Sequence, residues 1–368
     1  MLRESIIFLS ESSTARAFSM RAPGARTMAR RFVAGETLDD GLAAARELVA
    51  KGFTVSLDYL GESVSSRAEA RAAADVYVRM LQRIGADAAL RERVNVSLKL
   101  TQMGQDIART DAGVATPGTP AAPGPATSAL PPSNAAAGSS WPLPPPEYAT
   151  PANGVDRDDA ILRDNVTRIL AAAREHGSFV RFDMEGTPHT QRTLDFFRSL
   201  WDDGYTNVGI VLQSYLRRTE HDVREANLLG CRVRLCKGAY QEPEQYAFQD
   251  KAEVDSKYIG LLKLLLSEGN YPGLATHDEA MIAAARDYTR TRGLPASGFE
   301  FQMLYGIRRD LQHQLLSEGY NLRIYVPFGE AWYPYLMRRM AERPANLIFI
   351  VTAVLRESPL RFLYRKKK

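Results

Sequence analysis

The chain has 368 residues and a mass of 40.9 kDa, which is enough for one large domain or two ordinary ones. Its composition, 45% hydrophobic and 24% charged, is close to a globular average and excludes a wholly disordered or fibrous protein. The net charge of +4 is too small to indicate a nucleic-acid partner, and two cysteines exclude a disulfide scaffold and fit a reducing compartment.

Residues 1–36 are predicted to form a helical arm ahead of the main domain. Between Ser12 and Gly35 the chain has five arginines and no acidic residue. That composition is typical of a basic amphipathic helix and also of a transit peptide. At the other end, the basic tail Arg365–Lys368 indicates either a solvated terminus or an attraction to anionic lipids. No apolar run reaches the ~20 residues that a membrane-spanning helix needs.

A single domain over residues 37–368 is predicted, because short β-type runs alternate with helical periodicity. The predicted strands are Thr54–Tyr59, Asn95–Leu100, Phe179–Met184, Val208–Gln213, Arg232–Lys237, Tyr271–Thr276, Phe299–Leu304 and Leu322–Pro327. The predicted helices include Leu42–Val49 after a Thr37-x-x-Asp40 cap, Arg67–Gly85, Asp158–His176, Thr190–Asp203, Ser256–Glu268, Glu279–Arg292 and Arg309–Glu318. Gly269 stands after one of these helices, where a left-handed cap is expected. Eight strands alternating with helices within about 300 residues predict an α/β fold, a (β/α)8 TIM-type barrel with extra N-terminal helices.

Residues 112–155 interrupt this pattern. They contain eleven of the 20 prolines, and residues 112–146 have no charged side chain. Such a segment has too little apolar surface to offset the entropy of ordering, so we predict a disordered Pro/Ala-rich insertion. Only about 110 residues precede it and the βα rhythm continues beyond it, which favours one interrupted domain over two. We expect the barrel to function without residues 112–146.

Polar residues stand at the same end of seven predicted strands, where a (β/α)8 barrel has its active site. On strands 2 to 7 they are Lys99, Asp183, Gln213, Arg234 with Lys237, His277 and Gln302, and strand 8 carries Arg323 and Tyr325. Buried charges cost free energy unless they pair or bind something, so their convergence predicts a functional centre. The cations suit a carboxylate or a phosphate, whereas the scattered histidines show no metal-site spacing, and we predict no metal. The residues alone indicate a barrel enzyme that binds anions.

Several segments of the sequence closely resemble motifs of proline dehydrogenases, and they occur in the same order as in that family. They are Asn95–Thr101, Arg181–Glu185, Arg234–Tyr240, Ala275–Asp278, Phe299–Gly306, Arg323–Pro327 and Tyr335–Glu342. Since no aldehyde dehydrogenase domain follows, the chain resembles the monofunctional bacterial type. The insertion is the departure from the family pattern.

The resemblance implies a distorted barrel that binds FAD and oxidises L-proline to 1-pyrroline-5-carboxylate, the first step of proline degradation to glutamate. Hydride would pass to flavin N5 and electrons would leave for a membrane quinone. A separate 1-pyrroline-5-carboxylate/glutamate-semialdehyde dehydrogenase would act next. The implied location is the cytoplasm, with peripheral contact at the inner face of the cytoplasmic membrane, and no nucleic acid is involved.

The resemblance also implies roles for individual residues. The substrate-binding residues would be Lys99, Asp183, Tyr240, Leu304, Tyr325, Arg338 and Arg339. The FAD-binding residues would be Gln213, Arg234, Lys237, Gly238, Ala239, Thr276, His277, Gln302 and Glu342. Arg338 and Arg339 would clamp the proline carboxylate, since neighbouring helix residues point about 100° apart. No catalytic residue is assigned, because no general base for the amine is evident.

Two alternatives share the fold. One is an aldolase that uses Lys99 or Lys237 as a Schiff-base amine. The other is a non-catalytic protein that binds flavin or an amino acid as a sensor, since a fold does not determine a function.

Overall fold

The computed structural model describes residues 30–61, 64–107, 140–148 and 159–342, and for residues 338–342 it describes the backbone alone. The strands are β1 (Thr54–Tyr59), β2 (Val94–Leu98), β3 (Val180–Phe182), β4 (Val208–Gln213), β5 (Val233–Cys236), β6 (Gly273–Ala275), β7 (Glu300–Leu304) and β8 (Leu322–Phe328). The α-helices are α1 (Leu38–Ala50), α2 (Arg67–Ala86), α3 (Asp159–Glu175), α4 (Thr187–Asp202), α5 (Thr219–Leu229), α6 (Lys251–Glu268), α7 (Glu279–Arg292), α8 (Arg309–Ser317) and α9 (Trp332–Glu342). Most of the predicted N-terminal arm and all of the basic C-terminal tail lie outside these residues.

The eight strands form one closed parallel barrel in chain order, so the predicted (β/α)8 fold is confirmed. β1 pairs with β2 and also with β8, where Thr54 lies opposite Arg323, and this pairing closes the barrel. β1 and β4 have the predicted bounds. β3 and β6 are only three residues long, and the flanking residues predicted with them lie in connecting segments.

Local interactions explain where two of the helices begin and end. Thr37 and Asp40 form a reciprocal capping box that starts α1, as the Thr37-x-x-Asp40 pattern predicts. The prediction of a left-handed Gly269 after α6 is wrong, because its φ of −85° and ψ of 163° are extended. Glycine fits there for another reason, since a Cβ would lie 2.6 Å from the carbonyl oxygen of Leu265. Helix α5 is missing from the sequence prediction.

Residues 140–148 differ from the disorder predicted for the insertion. Trp141 is 1% exposed and belongs to the main hydrophobic core. Its backbone N–H donates to Asp195 Oδ1 at 2.9 Å, and its indole Nε1–H donates to Asp222 Oδ1 at 3.2 Å. The physical reason is that one large aromatic side chain gains enough by burial to order its neighbours in a segment otherwise poor in apolar surface. The rest of residues 112–155 lies outside the described residues, so its disorder stays a prediction.

Apolar side chains fill the layer between the barrel and its helices and form one large core. The interior of the barrel is different, because it holds buried polar and charged residues such as Ser97, Arg181 and Glu300. The interiors of such barrels are usually packed with branched apolar residues, so this polar interior indicates a specialised role. Within the described part of the chain, no helix is both long enough and apolar enough to cross a membrane.

Candidate active site

A cavity of about 620 Å³ opens at the carboxyl ends of the strands. Thirteen of the sixteen site residues predicted from the sequence line it. They are Lys99, Asp183, Gln213, Arg234, Lys237, Gly238, Ala239, Tyr240, Thr276, His277, Gln302, Leu304 and Tyr325. The side chains of the other three, Arg338, Arg339 and Glu342, lie outside the described residues, although helix α9 places their backbone after the cavity residues Tyr335 and Leu336.

Three side chains of the cavity wall form a hydrogen-bonded cluster: Asp183 directly after β3, Arg234 on β5 and Tyr325 on β8. Arg234 Nη1 donates to Asp183 Oδ1 at 2.7 Å, and Tyr325 Oη donates to Asp183 Oδ2 at 2.7 Å. The guanidinium of Arg234 also lies over the Tyr325 ring, 5.3 Å from its centroid. Burial and the Asp183 carboxylate raise the pKa of Tyr325, so its hydroxyl stays protonated and acts as a donor. Asp183 therefore holds a cation and a neutral donor side by side at the cavity wall.

Two lysines at the cavity have carboxylate neighbours. Lys99 Nζ lies 3.8 Å from the buried Asp58. Lys237 Nζ contacts Asp255 at 2.5 Å and Asp278 at 2.7 Å. An ammonium held between two carboxylates is poorly suited to attack a carbonyl, so this pairing argues against the Schiff-base alternative at Lys237.

The loop after β5 brings the backbone close to the cavity. Gly238 has a φ of +111°, which favours glycine, and a Cβ at this position would overlap the ring of Tyr215. Because Gly238 and Ala239 have little or no side chain, a molecule bound in the cavity could approach their backbone closely. After the neighbouring strand β6, His277 Nε2 accepts a hydrogen bond from the Leu304 N–H at 3.0 Å, which fixes the imidazole at the edge of the cavity.

Gln213 and Tyr240 occupy different positions along the cavity wall. Gln213 is buried, and its Nε2 donates to the Glu185 carbonyl at 3.0 Å. Tyr240 is 43% exposed, so it lies at the rim and its ring can cover a bound molecule only in part.

Sequence reasoning missed several residues that line the cavity, among them Phe32, Ile307 and Arg308. Phe32 precedes the first helix and reaches the cavity through a tertiary contact that no local pattern signals. Arg308 follows β7 and has a left-handed φ of 50°, unusual for a non-glycine residue. The pair Arg308-Arg309, directly after a strand end, was the sequence signal that could have identified it. The guanidinium of Arg308 contacts Glu279 at 2.7 Å and Asp310 at 3.0 Å.

Comparison with known proteins identifies the family to which this geometry corresponds. The family model described as proline dehydrogenase matches residues 41–351. Proline dehydrogenase 1 of Bacillus subtilis is 34% identical over 357 residues, which is 97% of this chain and all of the relative. Proline dehydrogenase of Deinococcus radiodurans is 35% identical over 330 residues, 89% of this chain and 90% of the relative.

The solved structures that resemble this chain include a longer protein. Proline utilization A from Bdellovibrio bacteriovorus, in a form inactivated by N-propargylglycine, superposes with a TM-score of 0.70 and 25% identity. The match covers 95% of this chain and 36% of that protein. The barrel and the order of its elements are therefore shared with a structure of known fold.

Proposed function

The chain belongs to the proline dehydrogenase family, and we propose that it oxidises L-proline to 1-pyrroline-5-carboxylate with FAD bound in the cavity at the carboxyl ends of the strands. The observation that carries the proposal is the Asp183–Arg234–Tyr325 cluster, which places a cation and a neutral donor at the wall of a 620 Å³ cavity. Such a wall suits a site that must accept negative charge during a redox reaction.

The residues of the cavity fit FAD. The backbone at Gly238 and Ala239, with little side chain, admits close approach of a large ligand, and the polar side chains around the cavity suit its polar edges. When bound, FAD supplies the acceptor for two electrons and a proton. We propose that the residues holding it are Gln213, Arg234, Lys237, Gly238, Ala239, Thr276, His277 and Gln302, with Glu342 at the far end of α9. Lys237, ion-paired with Asp255 and Asp278, keeps the loop after β5 in position beside the cofactor.

The substrate would occupy the remaining space beside the central cluster. Lys99, Arg338 and Arg339 would hold the proline carboxylate, because a guanidinium fork matches two carboxylate oxygens. Asp183 and Tyr325 orient the charged groups around it, and Tyr240 and Leu304 close the space around the ring carbons. We assign no protein residue as the base for the amine, and the free-amine fraction of the substrate or solvent serves instead.

Electrons would pass on to a quinone of the cytoplasmic membrane. The basic tail Arg365–Lys368 supports peripheral contact with the anionic inner face of that membrane. The product would be consumed by a separate 1-pyrroline-5-carboxylate/glutamate-semialdehyde dehydrogenase.

The test is to purify the protein, record its spectrum and add L-proline without oxygen. We expect a yellow protein whose flavin absorbance bleaches on addition of proline. Colourless protein that also fails to take up added FAD would overturn the cofactor assignment, and a flavoprotein that proline does not bleach would overturn the substrate. Transfer to a quinone is tested separately, by adding a soluble quinone to the proline-reduced protein and following recovery of the absorbance.

A further inference from the structure

A second layer of polar residues lies inside the barrel, beneath the cavity. We call this group, Arg181, Glu300, Gln302 and Arg323, the inner polar cluster. Arg181, Glu300 and Gln302 are each at most 4% exposed, and the Arg323 side chain is 12% exposed. Glu300, Arg181 and Arg323 do not line the cavity, so the proposed reaction leaves their burial unexplained.

Hydrogen bonds connect the inner polar cluster to the cavity wall. Arg323 donates to the Glu300 carboxylate through Nε at 2.7 Å and through Nη2 at 3.0 Å. Gln302 Nε2 donates to Glu300 Oε1 at 2.6 Å. The other end of the same amide, Gln302 Oε1, accepts from Arg234 Nε. Gln302 therefore stands between the buried carboxylate and the guanidinium that faces the cavity.

The direction of these bonds is set by the charge of Glu300. An ionised carboxylate can only accept, so the Gln302 amide must turn its NH₂ group inward and its oxygen toward Arg234. Burial opposes ionisation of Glu300, but the neighbouring Arg323 outweighs it and holds the pKa of Glu300 below its usual range. The carboxylate form that orients the amide is thus the stable form.

The fold leaves space for this arrangement at Gly273. On the adjacent strand β6, a Cβ at this position would overlap Nε2 of Gln302. Gly273 is paired in register with both Arg234 and Glu300. β6 thus has its smallest residue at the position where the Gln302 amide lies against it.

We propose that Glu300 is a positioning residue that, through the Gln302 amide, holds the Arg234 guanidinium against Asp183 and toward the flavin. Its effect on the flavin rests on the proposed function, whereas its effect on Arg234 does not. In Glu300→Gln, the amide oxygen of the new residue would turn to the Arg323 donors and its NH₂ group toward Gln302. The Gln302 amide would then flip and present a donor to Arg234 Nε, which has only a donor to offer.

The test compares the reduction potential of the bound flavin, titrated with a chemical reductant, in the wild type and Glu300→Gln. Loss of one hydrogen bond to a charged group changes an equilibrium about ten- to hundredfold. For a two-electron couple that is a fall of about 30–60 mV. We expect kcat to fall to a similar degree while the KM for proline stays within about threefold, because Glu300 does not touch the substrate.

The matched control is Tyr271→Phe, which removes a hydroxyl that donates to Glu300 Oε2 at 3.4 Å, away from Gln302. We expect its potential and kcat to equal those of the wild type. If Glu300→Gln does not fold, Gln302→Leu breaks the same connection and leaves the Glu300–Arg323 ion pair in place. Because Gln302 also lines the cavity, a changed potential in this variant counts only together with a longer Arg234–Asp183 contact in the ligand-free protein. An unchanged potential in a folded Glu300→Gln or Gln302→Leu protein overturns the proposal.

A crystal structure of ligand-free Glu300→Gln separates this proposal from the proposed function. We expect the 2.7 Å contact between Arg234 Nη1 and Asp183 Oδ1 to be lost or lengthened beyond hydrogen-bond distance. An Arg234 side chain in its original place would overturn the positioning role whether or not the protein oxidises proline. Conversely, a displaced Arg234 in a protein that proline never reduces would support the positioning role and refute the proposed substrate.

Discussion

Trp141 is expected to fasten the end of the Pro/Ala-rich insertion to the barrel. Its ring is almost fully buried and lies against Phe197, with centroids 6.1 Å apart. Trp141→Ala removes this packing and leaves a cavity, which in protein cores costs about 3–5 kcal/mol. At about 2 °C per kcal/mol, suitable for a large domain, the Tm should fall by about 6–10 °C.

Trp141→Phe separates packing from hydrogen bonding. The ring remains, but the Nε1–H donor to Asp222 is lost. Asp222 keeps two hydrogen bonds from Arg218, at 2.7 and 2.9 Å, so the cost should be about 1.5 kcal/mol, the low end of the range for a charged acceptor. Differential scanning calorimetry of the three proteins should therefore place Trp141→Phe about 3 °C below the wild type and well above Trp141→Ala.

A pair of deletions tests the same reasoning at the level of the segment. Gln105 and Trp141, on either side of residues 108–139, contact adjacent residues of α4: Gln191 donates to the Trp141 carbonyl at 3.2 Å and Arg192 to the Gln105 carbonyl at 2.6 Å. A short Gly-Ser-Gly link can therefore replace residues 112–139, and we expect a Tm near that of the wild type with proline oxidation retained. Removing residues 112–146 also removes Trp141 and should cost as much as Trp141→Ala. Equal Tm values for the two deletions would refute the anchoring role, and so would a Trp141→Ala protein as stable as the wild type.

Three further predictions concern the site. Arg338→Met and Arg339→Met should each raise the KM for proline about ten- to hundredfold, the value of one charge-assisted contact, and unchanged steady-state kinetics for both would refute the clamp. Tyr325→Phe removes the hydroxyl that donates to Asp183 and should lower kcat/KM about tenfold with FAD still bound, as judged by the flavin spectrum; full activity would contradict the role of the cluster. Because the pKa of Glu300 lies below its ordinary value of 4.5, its stabilising contribution is complete above that pH and is lost as the pH falls through the folded-state pKa. Urea unfolding between about pH 3 and about pH 7 should show a weaker acid dependence in Glu300→Gln, and identical slopes would exclude this contribution.

The fold could be predicted because buried parallel strands and amphipathic helices leave different periodicities in the sequence. β1 and β4, whose buried runs have clear boundaries, were predicted to the residue. The ends of β3 and β6 could not be, because hydrogen-bond pairing to neighbours, not composition, decides where a short strand stops. Trp141 was misassigned for a related reason, since average composition conceals a single residue with a specific tertiary partner.

Much of the candidate site was predictable because barrel topology brings strand ends together from distant parts of the sequence. Phe32 was not, since its approach depends on the path of a segment that precedes the barrel. Glu300 had a usable signal: it lies two residues before Gln302, so both side chains face the same side of β7. The sequence did not show how deep inside the barrel Glu300 lies, because that position depends on the register of β6, β7 and β8.

The position of the insertion clarifies how the chain tolerates it. It follows β2 in the chain, and Lys99 of the candidate site lies in the segment between that strand and the insertion. Yet none of its described residues lines the cavity. On the outer helix α4, Arg192 binds Gln105, which precedes the insertion, and Gln191 binds Trp141 within it. Trp141 packs between that helix and Asp222 of α5. The described residues on either side of residues 108–139 thus contact α4 and not the cavity. We therefore expect the length of the insertion to vary without altering the groups that line the cavity.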